Sequence, residues 1–255
     1  MKKNGKWLKP LIAIIFVLVV WQLVGMSGIY PAFILPTPLK VITTLFTGLF
    51  SGDFLWHAGV SLKRQISGFF WAVVVGLPLG ILLANFKGLK EYVLPPLKMI
   101  YPIPALAFLP LTILWLGLGD RTVIFIIFFG SFWPIMFNTM AGIQNVNPVY
   151  RKASKVLGAT TLSYWFRILL PASLPYILTG TRLAFGTSWR QIVGAEMISG
   201  SSGLGFMIDH SRSLLRGDEI IAGMIIIAAI GYTVEMFLFD YLEKKTVRRW
   251  GEQLQ

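Results

Sequence analysis

Residues 150–171 read YRKASKVLGATTLSYWFRILLP. The stretch is basic and is flanked by two long uncharged runs, Thr122–Tyr150 and Ile168–Thr181. Gly158 is placed to end a first short helix, because glycine takes the left-handed backbone of a helix end without steric cost. Thr161 or Ser163 is placed to cap a second, since a hydroxyl accepts from the free N–H groups of a first turn. The pattern predicts a helix–turn–helix bracket held out from an apolar body, carrying Tyr164 and Trp165. Aromatics in a solvated loop point to a partner surface or to packing beneath a membrane face.

Working outward, Leu11–Leu39, Gln65–Phe86 and Met99–Gly119 come before this region, and Ile220–Val234 comes after it, all uncharged. The run from Ile168 continues past Arg182 to Ile198, and the last continues past Glu235 to Phe239. A bilayer core needs about 20 apolar residues per helix, so six transmembrane helices is the simplest count. Barrel strands would be about 10 residues long with alternating character, and nothing here alternates. Leu11–Ile29 is 19 uncharged residues with no small-residue cleavage site after it, and is expected to be a retained first span rather than a signal peptide.

Two further segments carry local signals. From Pro38, the spacing of Leu39, Ile42, Leu45, Phe46 and Leu49 predicts a short amphipathic helix on the outer interface. The third run holds Pro95, Pro96, Pro102, Pro104 and Pro110. Proline removes a helical hydrogen bond and clashes with the preceding turn. The run is therefore either a kinked packing helix or a discontinuous helix beside a pathway.

Charged residues make up 13% of the 255-residue chain and hydrophobic ones 55%, with a mean hydropathy of +0.70. Soluble domains carry about 25% charge, so the solvent indicated is lipid. The net charge of +12 falls in blocks between apolar runs, which indicates membrane topology rather than nucleic acid. One set of blocks is Lys2, Lys3, Lys6 and Lys9, then Lys87, Lys90 and Lys98, then Arg151, Lys152, Lys155 and Arg167, then Lys244, Lys245, Arg248 and Arg249. The other side has only Lys40, Lys63, Arg64, Arg121, Arg212 and Arg216. Both termini and the loop 144–170 are thus expected to be cytoplasmic. Lys63 and Arg64 open the second helix on the external side, where snorkelling to headgroups is expected.

There is no Cys, and His57 and His210 are the only histidines, so thiol chemistry is excluded and a histidine metal cluster is not expected. No paired carboxylates and no nucleophile elbow appear, and SGSSGLGF at 199–206 lacks the ending of a phosphate-binding loop, so it is expected to be a flexible turn. These gaps argue against a membrane-embedded enzyme and for a conduit driven from elsewhere. The intramembrane charges are Arg182, Arg190, Glu196 and Glu235. Arg182 and Glu196 are about 21 Å apart along a helix axis and cannot pair. Arg182 is expected near the cytoplasmic interface and Glu196 near the outer one. Arg190 is expected either in an interhelical pair or lending positive potential to an anion pathway. Glu235 is expected to pair with a neighbouring cation. Arg190, Glu196 and Asn138 are the candidate pathway residues.

The string from Lys152, K-A-S-x-x-x-G, then nine residues and I-x-L-P, resembles the E-A-A-x-x-x-G-x9-I-x-L-P signature of ATP-binding-cassette (ABC) importer permeases. Ala153, Ser154, Gly158, Ile168, Leu170 and Pro171 fall in register, with Lys152 in place of the Glu and Ser154 in place of the second Ala. ISGFFWAVVVGLPLGILLA (66–84), YPIPALAFLPLTILWLGLGD (101–120), FWPIMFNTMAGI (132–143), SWRQIVGAEMI (188–198) and GLGFMIDHSR (203–212) resemble the nitrate/sulfonate/taurine/bicarbonate branch of that family.

The resemblance implies an all-α integral membrane protein with the six-helix, type I importer permease (MetI-like) fold, multi-pass in a bacterial plasma membrane. Residues 1–10 would be an N-terminal cytoplasmic tail, 11–240 the permease domain and 241–255 a C-terminal cytoplasmic tail. Lys152, Ala153, Ser154, Leu157, Gly158, Ala159, Leu170 and Pro171 would form the coupling loop. The implied partners are a cytoplasmic ATPase dimer that carries ATP and Mg, an extracytoplasmic substrate-binding protein, a second copy of the chain and the bilayer. This chain would hold no cofactor or metal. The implied substrate is a small anion such as an aliphatic sulfonate, taurine or nitrate. The alternatives are a thiamine-precursor pyrimidine or riboflavin in the same class, and, outside it, a stand-alone ion-coupled transporter. The last would favour mid-span carboxylates and usually more helices.

Overall fold

A computed structural model gives the fold and describes residues 8–251. Most of the expected tail 1–10 and residues 252–255 lie outside the described residues. Every regular element among the described residues is helical. In order these are α1 Leu8–Met26, α2 Pro38–Phe50, α3 Asp53–Asn85, α4 Lys87–Ile100, α5 Leu109–Leu116 and α6 Asp120–Gln144. Then come α7 Pro148–Val156, α8 Thr161–Tyr164, α9 Leu170–Ser199, α10 Leu204–Ser213, α11 Gly217–Thr233 and α12 Asp240–Gly251. A π turn, Trp165–Leu169, joins α8 to α9, and another, Val234–Phe239, joins α11 to α12.

Among the described residues, four helices are long and apolar enough to cross a membrane: α3, α6, Thr161–Ser199 and Gly217–Thr246. The proline-rich run makes a fifth only as a bent pair, since Lys87–Ile100 and Ala105–Leu116 meet at 83°. The break holds Pro102 and Pro104, so the discontinuous form is the one adopted. Six spans were expected. The first apolar run does not form one long helix, because α1 stops at Met26, Gly28 takes φ +71, and Pro31 follows. α1 itself has 19 residues, close to the length a span needs, and its described apolar stretch is Ile12–Met26. The expected amphipathic helix is α2, with Val41 buried and Leu39, Ile42, Phe46 and Phe50 exposed.

The chain forms two compact units. The larger comprises residues 61–201 and 229–255. Its centre is α6, where Ile126, Ile127, Ile135 and Met136 are fully buried. Glycines of α3 bring its backbone against α6: a Cβ on Gly68 would lie 2.7 Å from the Ile124 carbonyl oxygen, and one on Gly80 would lie 2.6 Å from that of Met136. On the other flank, a Cβ on Gly142 of α6 would meet Tyr176 of α9 at 2.6 Å. Lipid offers no hydrophobic drive between helices, so packing at such small-residue contacts has to supply the cohesion.

The smaller unit comprises residues 1–60 and 202–228. The Trp21 indole donates to the Pro36 carbonyl at 3.0 Å, and the Thr44 hydroxyl donates to Asp218 Oδ2 at 2.6 Å. Gly203, at φ +103, donates its N–H to His57 Nδ1 at 3.1 Å. The expected flexible turn 199–206 is shorter than that, because α10 already begins at Leu204.

Candidate functional site

The signature loop forms as two helices around a glycine turn. α7 closes with the Leu157 N–H donating to the Ala153 carbonyl (3.0 Å) and the Ala159 N–H donating to the Ser154 carbonyl (2.9 Å). Gly158 sits between them at φ +72, where a side chain would be strained. The cap of α8 is Thr160, whose hydroxyl accepts from the Ser163 N–H at 3.3 Å, and not Thr161 or Ser163 as expected. Thr160 alone has the extended backbone (φ −65, ψ 157) that a cap needs.

The loop has an inner and an outer face. Ser154 is 4% exposed, whereas Val156 is 87% and Leu157 85% exposed. Lys152, Ala153 and Gly158 are exposed as well, Ala159 and Leu170 are intermediate, and so is Pro171. The apolar tip Val156–Leu157 therefore points away from the body. Behind the loop a cleft of about 510 Å³ runs between Ser154, Ala159, Tyr164 and Trp165 and the ends of α3 and α6 at Asn85, Phe86 and Ile143. Ser154 thus faces the cleft on the body side, while the hydrophobic tip Val156–Leu157 is exposed.

The exposed side of α9 carries Tyr176, Thr179, Leu183, Thr187 and Arg190 at helical spacing. Arg190 makes no ion pair among the described residues. It lines a recess of about 110 Å³ with Phe185, Gly186, Trp189, Arg182 and the carboxylate-bearing Glu235. Arg182 takes three carboxylates: Glu243 at 3.2 Å, Asp240 at 3.3 Å and Glu235 at 3.4 Å. The expected cation partner of Glu235 is thus Arg182. Asn138 is half-buried, and its side-chain amide donates to the Pro134 carbonyl of its own helix at 2.8 Å.

Arg64 corrects the sequence expectation. It does not snorkel: it is 2% exposed and donates from NH1 to Glu196 Oε1 at 2.8 Å. Its Nε and NH2 donate to Asp120 Oδ1 at 2.8 and 2.5 Å. The Ser61 hydroxyl lies 2.9 and 2.8 Å from the two Glu196 oxygens. Glu196, expected near the outer interface, is 1% exposed inside this cluster. A buried guanidinium has to find acceptors for its fork of donors, and the only intramembrane acid late in α9 supplies one. The readable signal was the complement between Arg64 and Glu196, two ionisable groups in apolar runs.

The family described as binding-protein-dependent transport system inner membrane component matches residues 76–250. A putative aliphatic sulfonates transport permease protein of Bacillus subtilis is 34% identical over 97% of this chain and 89% of that protein. A taurine transport system permease protein of Escherichia coli is 33% identical over 87% of this chain and 82% of that protein. A nitrate import permease protein of Synechocystis is 36% identical over 96% and 90%. A chain of the inward-facing MetNI methionine ABC transporter superposes with a TM-score of 0.65, at 19% identity over 76% of this chain and 95% of that one.

Proposed function

The chain belongs to the binding-protein-dependent transport system inner membrane components, and on that premise we propose that it is the membrane pathway of an ATP-driven importer for a small anion of the sulfonate, taurine or nitrate kind. It is a membrane component rather than an enzyme, and ATP hydrolysis belongs to a separate cytoplasmic ATPase dimer. Lys152, Ala153, Leu157 and Gly158 meet that ATPase through the exposed side of α7, while Ser154 carries the movement inward to the body. An extracytoplasmic binding protein delivers the substrate, and two copies of the chain enclose the path.

The observation that carries the choice of an anion is Arg190. An arginine in an apolar span that faces outward without an ion pair needs water or a counter-charge near it. The hydroxyls of its stripe, Thr179 and Thr187, and Gly186 in the recess beside it suit a wetted path better than lipid. Of the other pathway candidates, Asn138 stays in the proposal, lying where α6 and α9 cross. Glu196 enters it only through its hold on Arg64.

The test is uptake into proteoliposomes holding the permease, its ATPase and its binding protein, with labelled taurine, an alkanesulfonate, nitrate and riboflavin as probes. At least one anion is expected to enter in an ATP-dependent way. Arg190→Gln is expected to lower that uptake by at least about tenfold at equal permease level, the effect of losing a hydrogen-bonded charge. Riboflavin uptake alone, or an unchanged rate in the variant, would overturn the anion reading.

A further inference from the structure

Arg64 lies where α6 begins and α9 ends, beside a point three turns into α3. Ser61 and Arg64 are in the first part of α3, Asp120 is the first residue of α6, and Glu196 is in the last turn of α9. The same two ends of α6 and α9 are joined a second time, because the Gly119 N–H donates to the Ser199 carbonyl at 2.8 Å and lies 3.2 Å from its hydroxyl. The other ends of α6 and α9 lead into α7 and α8. α6 has 25 residues, roughly 37 Å of helix, so the cluster is a whole helix length from the coupling loop. Between the two lie the close approaches of Gly142 to Tyr176 and of Gly180 to Asn138.

We infer that Arg64 is a positioning residue of the transport cycle, holding α3 to the far ends of α6 and α9 so that displacement delivered at α7 moves that end of the pathway. The inference rests on the proposed role of α7 as the contact with the ATPase. Buried ion pairs are weak devices for stability alone, since apolar residues of like volume often do as well or better. They do fix which groups meet, and here one guanidinium fork sets the mutual position of three helices.

The two arms of the cluster differ. Glu196 is sealed with Arg64, and separating them would cost each buried charge its closest counter-ion inside the protein. Asp120 is 64% exposed, so its arm can open to water at small cost. The α3–α9 contact is therefore the fixed part, and the Asp120 contact is the one through which the start of α6 can shift.

The test uses the full importer, permease with ATPase and binding protein, in proteoliposomes, reading substrate uptake and ATP hydrolysis together. Arg64→Met with Glu196→Leu removes both sealed charges and leaves no bare ion to unfold the bundle. The expected result is a complex that still hydrolyses ATP on addition of binding protein but imports at least about tenfold less substrate per ATP. Asp120→Asn, at an exposed site, is expected to lower the same ratio by a smaller factor and serves if the double variant does not assemble. A ratio unchanged in the variant that assembles, whether or not its melting temperature falls, would overturn the inference. Leu157→Asp separates the premise from the inference: if uptake survives that change, α7 is not the contact and the premise has failed instead.

Discussion

Gly180 of α9 approaches Asn138 of α6 so closely that a Cβ on the glycine would lie 2.6 Å from the Asn138 Cβ and 2.8 Å from the Pro134 carbonyl oxygen. No rotamer change relieves a clash with a backbone oxygen. Gly180→Val is expected to destabilise the protein by about 1–3 kcal/mol, the cost of overpacking a close contact. Gly186, six residues on, has open space around its Cβ position, and Gly186→Ala should leave stability level or raise it by up to about 1 kcal/mol. Thermal melts of the detergent-solubilised variants check both, and equal melting temperatures for Gly180→Val and the parent would sink the packing argument.

Leu157 gives a cleaner test of the coupling loop than Gly158. Any residue at Gly158 is strained at φ +72, so Gly158→Asp changes the fold of the loop along with its surface. Leu157 is exposed at the tip and its side chain supports nothing within the chain. Leu157→Asp should leave the permease in the membrane at its normal level and lower ATP-dependent uptake by at least about tenfold, as at an interface hot spot. Membrane level by immunoblot and uptake by the labelled anion are the two measurements.

Arg64→Ala alone should be costly. It leaves the Glu196 carboxylate at 1% exposure without its guanidinium, an effect of about 3–5 kcal/mol for a broken buried pair. Arg64→Ala with Glu196→Ala should cost less than the single change, because no bare charge remains. A double-mutant cycle on detergent melts checks this, and simple additivity of the two single losses would contradict the pairing.

Arg182 behaves in the opposite way. Its three carboxylates, Glu235, Asp240 and Glu243, are all more than a third exposed. Glu235→Gln leaves two of them in place and should change stability by less than about 1 kcal/mol. A melting shift as large as that of Arg64→Ala would show that this cluster, too, is dehydrated in the bilayer.

Much of the architecture is readable from local pattern. The uncharged runs place the long helices, the stripe from Leu39 to Leu49 places α2, and Gly158 places the turn, since each depends on residues within a few positions of one another. The break near Tyr101–Pro104 was readable as a choice between two forms, and the backbone took the open one. The cap moved by one residue to Thr160 because capping depends on local dihedral angles that hydroxyl-bearing neighbours do not distinguish.

What the pattern could not decide is the partnering of charges. Arg64 and Glu196 are 132 residues apart, and composition assigns each to the nearest interface. Only the packing of α3 against α9 brings them to 2.8 Å in a place closed to water. Arg190, for which a pair and an open position were both expectations, makes no ion pair among the described residues. Spacing along the chain sets which face of a helix a residue occupies, and it alone fixed the family signature, the apolar runs and the turn. Which faces meet follows from how glycines and side chains interlock in three dimensions, and that decided which charge is sealed, which is shared and which is left exposed on its helix.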